Sequence, residues 1–192
     1  MNALKILLAG AALAVSAAGA NAAVFYADKV ISKTPGTCTP SCSGVRQNAN
    51  NALGAADGSF YSLGFGGELV VGFNQAVFEP AQNVSVYEVT WDRVHGHNEA
   101  VDVYSVLGGV STYLGRILNT VADSKVLANT AFEYIRLVDA TLDEFGAGGT
   151  SSNDGFDVDS VAIAAVPLPA AGMLLLGGLG GLAALRRRKK AA

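Results

Sequence analysis

From residue 52 to residue 165 the chain runs in short segments of alternating apolar and polar residues, broken by Gly, Asn and Asp. Val84, Val86, Glu88 and Thr90 fall on one face of an extended segment, with Ser85, Tyr87, Val89 and Trp91 on the other. Val101, Val103 and Ser105 alternate with Asp102, Tyr104 and Val106. Phe132, Tyr134, Arg136 and Val138 alternate with Glu133, Ile135, Leu137 and Asp139. A period of two marks a half-buried strand. Further strands are predicted at 112–118, after a turn at Gly108-Gly109, and at 158–164. Leu63 and Phe65, followed by residues 69–73, predict a strand pair joined at Gly66-Gly67. Residues 24–27 and 29–31 supply an earlier strand, and one helical turn is expected near 122–128. Six or seven short strands separated by turn residues predict an all-β fold, an antiparallel β-sandwich.

The two ends break this pattern. Residues 1–22 carry Lys5, then Ile6-Leu7-Leu8-Ala9 and an alanine-rich run, and close on Ala20-Asn21-Ala22. A basic start, an apolar middle and a small-x-small finish make a secretory signal peptide, cleaved after Ala22. At the other end, the 25 residues from Val161 to Leu185 hold no charge. A helix needs about 20 apolar residues to cross a bilayer. Residues 170–185 alone would span roughly 24 Å, short but workable in a thin membrane. Gly177, Gly178, Gly180 and Gly181 weaken a soluble helix but are common in membrane helices. Arg186, Arg187, Arg188, Lys189 and Lys190 follow and would stay cytoplasmic, leaving everything upstream on the far side.

Before that helix stands Val166-Pro167-Leu168-Pro169-Ala170. Motif, apolar helix and basic cluster, in that order, resemble the PEP-CTERM sorting signals of Gram-negative bacteria, in the variant where Val-Pro-Leu-Pro-Ala replaces the Pro-Glu-Pro core. The resemblance covers the last 27 residues, and residues 166–170 match the variant letter for letter. It implies an exosortase as partner, a membrane-embedded enzyme with a cysteine nucleophile that cuts near the motif. The departure is the missing Glu: Leu168 stands between the prolines, which implies an exosortase of a matching subclass. The chain is then expected in the inner membrane before processing, and at the cell surface or in the extracellular matrix afterwards. A plain membrane anchor is the alternative.

Setting these ends aside changes the charge. Thirteen bases fall to seven once Lys5 and the C-terminal cluster are removed, while all sixteen acids remain, so residues 23–165 are near −9. That balance excludes nucleic acid as a partner and favours solubility or cation binding. The organisation expected is a signal peptide (1–22), a strand with a Cys-containing loop (23–51), a sandwich domain (52–165) and a sorting signal (166–192). The only cysteines, Cys38 and Cys42, lie in a loop rich in Thr, Pro, Gly and Ser. In an exported chain an even pair predicts a local disulfide; two thiols with no nearby His make a poor metal site.

A second resemblance spans residues 52–163. Ala52-Leu53-Gly54-Ala55-Ala56-Asp57-Gly58-Ser59, Ser62-Leu63-Gly64-Phe65-Gly66-Gly67-Glu68-Leu69, the segment from Phe132 to Asp139, and Asp154-Gly155-Phe156-Asp157-Val158-Asp159 are similar to secreted jelly-roll sandwiches of the galactose-binding-like type. The resemblance implies a surface module or carbohydrate binder, in many cases with a structural calcium. Where such domains carry an Asp-Gly turn followed by Trp, this chain has Gly108-Gly109 and Tyr113, which removes one family-style sugar contact.

The acidic residues are the candidate chemistry. Asp154, Asp157 and Asp159 stand at spacings of three and two, and on a strand Asp157 and Asp159 would share a face. With Asp57 from the Asp57-Gly58 turn they form a candidate set for Ca²⁺, which takes six to eight oxygens. A solvated acidic turn capping a strand is the other reading. His95 and His97, flanked by Asp92 and Glu99, are a possible transition-metal set but fit an exposed hairpin better. Asn83-Val84-Ser85 is a sequon at a strand start and carries no weight. No nucleophile elbow or paired-carboxylate signature frames the Ser, His and Asp residues. The function expected is a non-catalytic structural or adhesive module of the envelope or extracellular polysaccharide. A calcium-dependent carbohydrate-binding module is the alternative, favoured if Tyr61, Tyr104 or Tyr113 cluster on one face. A hydrolase would need close carboxylates in a cleft.

Overall fold

The computed structural model describes residues 23–40, 42–89, 95–121 and 125–165. The signal peptide, Trp91, Asp92, the sorting motif, the apolar segment after it and the basic cluster lie outside these residues. Among the described residues no helix is long and apolar enough to cross a membrane.

Among the described residues ten strands run β1 (Val24–Tyr26), β2 (Lys29–Thr34), β3 (Tyr61–Ser62), β4 (Glu68–Gly72), β5 (Gln82–Glu88), β6 (Ala100–Leu107), β7 (Val110–Leu118), β8 (Lys125–Ala128), β9 (Tyr134–Asp139) and β10 (Asp157–Ala165). They form two five-stranded antiparallel sheets. One has the order β1-β10-β5-β8 with β3 also against β10; the other is β2-β4-β9-β6-β7. Four pairings nest inside one another: β3 with β10, β4 with β9, β5 with β8, and β6 with β7. Two more, β5 with β10 and β6 with β9, close the roll. Successive strands thus alternate between sheets around a β6–β7 hairpin, which is jelly-roll topology. Residues 23–51 belong to it, since β1 and β2 each extend one sheet.

The predicted alternation places the core. Val101 and Val103 of β6, Ile135 and Leu137 of β9, and Leu69 and Val71 of β4 meet Val84, Val158, Val161 and Ile163 of the other sheet in one buried cluster. Each such side chain contributes about 1.5–3 kcal/mol by leaving water. Phe73, Phe78 and Phe132 fill one part of it, with Phe78 stacked on Phe132 at 5.1 Å. The Gly108-Gly109 turn has positive φ at both residues, as a two-residue hairpin of matching twist requires.

Three expectations are corrected. Leu63–Phe65 and residues 69–73 are not a hairpin pair, because β3 and β4 lie in different sheets. Leu63 instead donates its N–H to Phe156 O at 3.1 Å, and Gly64–Gly67 carries the chain across. The helical turn expected near 122–128 is, in its described part, the edge strand β8, where pairing with β5 overrides local preference. A short helix, α1, stands at Thr141–Phe145 instead. Finally, Asp157 and Asp159 do not act as one ligand pair: Asp157 meets Ser62 Oγ, while Asp159 accepts from Asp57 N and Gly58 N. A bulge between Val158 and Ser160 breaks the alternation, so that Val158, then Val161 and Ile163, face the core.

One end of the sandwich is held by Asp139, the buried last residue of β9. Its carboxylate accepts from Gly66 N (3.0 Å), Phe156 N (2.9 Å) and Thr141 Oγ1 (2.7 Å), joining two loops and the start of α1. Burial raises its pKa, while these donors oppose the rise. Backbones pass closely here: a Cβ on Gly155, whose φ is +70°, would lie 2.7 Å from Asp139 Oδ1 and 2.8 Å from Gly64 C. Replacing Asp139 by Asn presents an amide NH₂ to N–H donors. We expect Asp139→Asn to cost about 1–3 kcal/mol in urea denaturation; an unchanged midpoint would mean the loops hold without the carboxylate.

Candidate functional site

The loop of residues 38–46 lies over this end. Cys38 and Cys42 are joined as the predicted disulfide, and Thr39 N donates to Asn153 O at 2.8 Å. Between this loop and residues 151–154 is an open polar pocket of about 420 Å³, whose lining includes Arg46, His97, Ser151, Asn153 and Asp154. Arg46 lies over the Phe60 ring at 5.0 Å and donates from Nη1 to Asp154 Oδ2 at 2.7 Å. About half of its side chain stays exposed, leaving donors free to face a ligand.

Below the pocket is a cluster of buried acids. Asp154 and Asp157 both contact Ser62 Oγ, at 3.1 and 2.5 Å. A hydroxyl has one proton to give. The arrangement is satisfied when Asp157 is protonated and donates to Ser62, which in turn donates to Asp154. Burial first, then the Glu99 charge, pushes Asp157 up to about 8, in keeping with that proton. Glu99 is fully buried and is pushed up to about 7, again by burial first; nearby His97 and Ser152 oppose the rise. His97 Nε2 lies 2.8 Å from Glu99 Oε1, and this contact raises the imidazole pKa against the effect of burial. Asn119 fixes the segment by accepting from Glu99 N (2.8 Å) and donating to His97 O (2.7 Å).

The four predicted metal residues divide into two pairs. Asp154 and Asp157 meet at Ser62. Asp159 receives Asp57 N and Gly58 N, both at 3.0 Å, so its two oxygens cap the Asp57-Gly58 turn. Among the described residues the three-member group whose ligand atoms converge is His97, Glu99 and Asp157, within 4.8 Å of one another. Sequence reasoning considered Glu99 only as a flank and passed over Ser62 and Arg46. The parity of β6 was the available signal for Glu99, since the face holding Val101 and Val103 holds Glu99 as well. His95 is exposed, as expected.

Of the tyrosines, Tyr61 is buried in the core. Tyr104 and Tyr113 pair on the outer face of the other sheet, with ring centroids 5.3 Å apart and Arg136 over Tyr104 at 5.0 Å. Their polar neighbours are already engaged: Arg136 with Glu68 at 2.6 Å, and Arg116 with Asp102 at 2.7 Å and Glu144 at 2.9 Å.

No family model matches the chain, and no curated protein does. Among solved structures it is similar to the family 32 carbohydrate-binding module from Clostridium perfringens NanJ in complex with galactose. That likeness has 12% identity over 73% of this chain and 99% of that one, with a TM-score of 0.44. It is similar also to the family 32 carbohydrate-binding module of Streptococcus pneumoniae EndoD (13% identity, 71% and 93% covered, TM-score 0.44). A third is the C-terminal domain of a chitobiase from Bacteroides fragilis (16% identity, 69% and 92% covered, TM-score 0.40). No residue role passes from them to this chain.

The raised carboxyl groups give a pH prediction with a definite sign. Each holds its proton more tightly folded than unfolded, so its stabilising effect is complete at low pH and is lost as pH rises through the folded value. With Glu99 going from 4.5 to about 7 and Asp157 from 3.8 to about 8, stability in the presence of chelator should fall between about pH 4 and pH 8. The Glu99→Gln, Asp157→Asn chain should lose most of that slope in urea midpoints measured across pH. An equal slope in both would place the titration elsewhere.

Proposed function

We propose that residues 23–165 form an exported, non-catalytic binding module that takes a carbohydrate in the pocket beneath the disulfide loop. The observation that carries this is the convergence of Arg46, His97, Ser151 and Asn153 on one open polar cavity, with the Arg46 guanidinium laid on Phe60. Hydroxyl-rich ligands need such planar and adaptable donors and acceptors. A volume of about 420 Å³ falls within the range of about 300–1,000 Å³ usual for small-molecule sites. The structural or adhesive role expected from the sequence would then act through this contact, with extracellular polysaccharide as the partner. Delivery rests on the sequence alone: a signal peptide, and a Val-Pro-Leu-Pro-Ala signal handled by an exosortase.

The test is a glycan array on the purified chain, followed by calorimetry on whatever it binds. Arg46→Ala should weaken binding by about tenfold to a hundredfold, the value of a charge-assisted hydrogen bond, while Tyr113→Ala should leave it unchanged. The reverse result would move the site to the outer face of the second sheet, and no bound glycan would reject the reading.

Sorting has its own test. A plain anchor needs only apolar length and flanking charge and tolerates changes at Pro167 and Pro169. A recognised motif does not, because proline holds the backbone extended for a protease. Pro167→Ala with Pro169→Ala should therefore insert normally but accumulate uncut, with Arg186, Arg187, Arg188, Lys189 and Lys190 still attached by mass. Cleavage of the double variant at the wild-type level, in a host carrying the matching exosortase, would reject the motif.

A further inference from the structure

We propose that His97, Glu99 and Asp157 bind a divalent transition-metal ion of the zinc type beneath the pocket. His97 and Glu99 stand two residues apart ahead of β6, and Asp157 opens β10, so two separate segments of the chain supply the set. Their ligand atoms already lie within 4.8 Å of one another. A tetrahedral zinc site, with bonds of about 2.1 Å, separates its ligand atoms by about 3.4 Å. Closing the widest pair therefore asks for a shift of roughly an ångström in a carboxylate. One imidazole nitrogen among carboxylate oxygens favours a first-row transition ion over calcium, which takes six to eight oxygens.

A second observation points to a ligand. Glu99 has no solvent exposure, and beyond the His97 ion pair and a Ser152 contact neither of its carboxylate oxygens meets a donor in good geometry. His97 Nε2 stands 2.8 Å from Oε1 and so pairs with one of the two oxygens. A carboxylate in that state is costly to bury, and a cation is the partner that would satisfy both oxygens. The charge around it has the same sense. Glu88 and Asp154 act on the same groups, and among the described residues the cations acting there are His97 and Arg46, the latter engaged by Asp154. The outer support a metal ligand needs is also present, in Asn119 on the His97–Glu99 segment and Ser62 on Asp157. His97 lines the pocket, so an ion has a route in and a fourth position can face the ligand side.

The inference does not depend on the carbohydrate reading, because the three ligands need no sugar to converge. The full chain, stripped with EDTA, is titrated with Zn²⁺, Mn²⁺ and Ca²⁺ by calorimetry and by thermal unfolding. One Zn²⁺ should bind per chain and raise the melting temperature, and Co²⁺ in its place should give the visible absorption of a site with imidazole and carboxylate ligands. His97→Gln and Glu99→Gln should each weaken Zn²⁺ binding by about tenfold or more, with unfolding in EDTA still cooperative. Should His97→Gln not fold, Glu99→Gln, which keeps the shape and removes a buried charge, decides alone. His95→Gln should bind as wild type does. No Zn²⁺ response, a response to Ca²⁺ alone, or loss of binding in His95→Gln would each overturn the assignment. Loss of glycan binding in Arg46→Ala with Zn²⁺ binding retained would keep the two sites distinct.

Discussion

The Asp139 carboxylate fixes the end of the sandwich where all the candidate chemistry lies. It takes a backbone N–H from Gly66 and another from Phe156, and the hydroxyl of Thr141. A buried carboxylate must find such donors or take a proton. Here the donors come from two loops and the first residue of α1, so satisfying the charge also sets the spacing of these segments. Gly64 then has to pass between Gly36 and Gly155 at backbone contact, a course that side chains would block. Gly155, held at positive φ, directs Phe156 into the core and leaves Asp154 to face Arg46 and Ser62. The pocket is in this sense a product of how one acid is neutralised.

The other buried acids follow one of two courses. Asp159 behaves like Asp139: both oxygens are met by N–H groups, those of Asp57 and Gly58, and the result is a stapled turn. Glu99 and Asp157 find fewer donors, and burial raises the pKa of each. What separates the two courses is the company each acid keeps: Asp159 meets the Asp57-Gly58 turn, and Asp157 meets Ser62 beside the buried Glu99.

Strand content and the antiparallel sandwich were legible because alternation survives tertiary packing wherever one face is buried, while the jelly-roll type came from the resemblance of residues 52–163. The hairpin at Gly108-Gly109 was legible for a local reason, as two glycines at positive φ define the turn. What failed was non-local. Leu63 and residues 69–73 have strand character, but nothing in their own sequence says that the chain changes sheet between them. Residues 125–128 became a strand through an edge that β5 offers from forty residues away. At the site, acid spacing singled out Asp154, Asp157 and Asp159 but not their partners, because Ser62, Asp57 and Glu99 come from distant parts of the chain. Glu99 is the instructive case: its parity with Val101 and Val103 predicted burial, yet a charged residue beside two histidines reads as surface.

Buried carboxyl groups with raised pKa values are the mark by which catalytic sites are often recognised. Here their position is set back from the pocket. General acid–base work needs the carboxyl within hydrogen-bond reach of the substrate, directly or through one water. Glu99 and Asp157 have almost no exposure and do not line the pocket, which is floored in part by His97 and Asp154. Asp154 is in turn occupied by Arg46 and Ser62. The carboxyl pair thus sits one layer too deep to touch a sugar, where its chemistry can act on the fold, on protons and on a small cation. Arg46 is the residue that belongs to both layers: one nitrogen neutralises Asp154 below, and the rest of the guanidinium lies on Phe60 where a ligand would meet it. A ligand drawing Arg46 away from Asp154 would leave the lower cluster more negative. Occupancy of the pocket and charge in the cluster are therefore coupled through that single side chain.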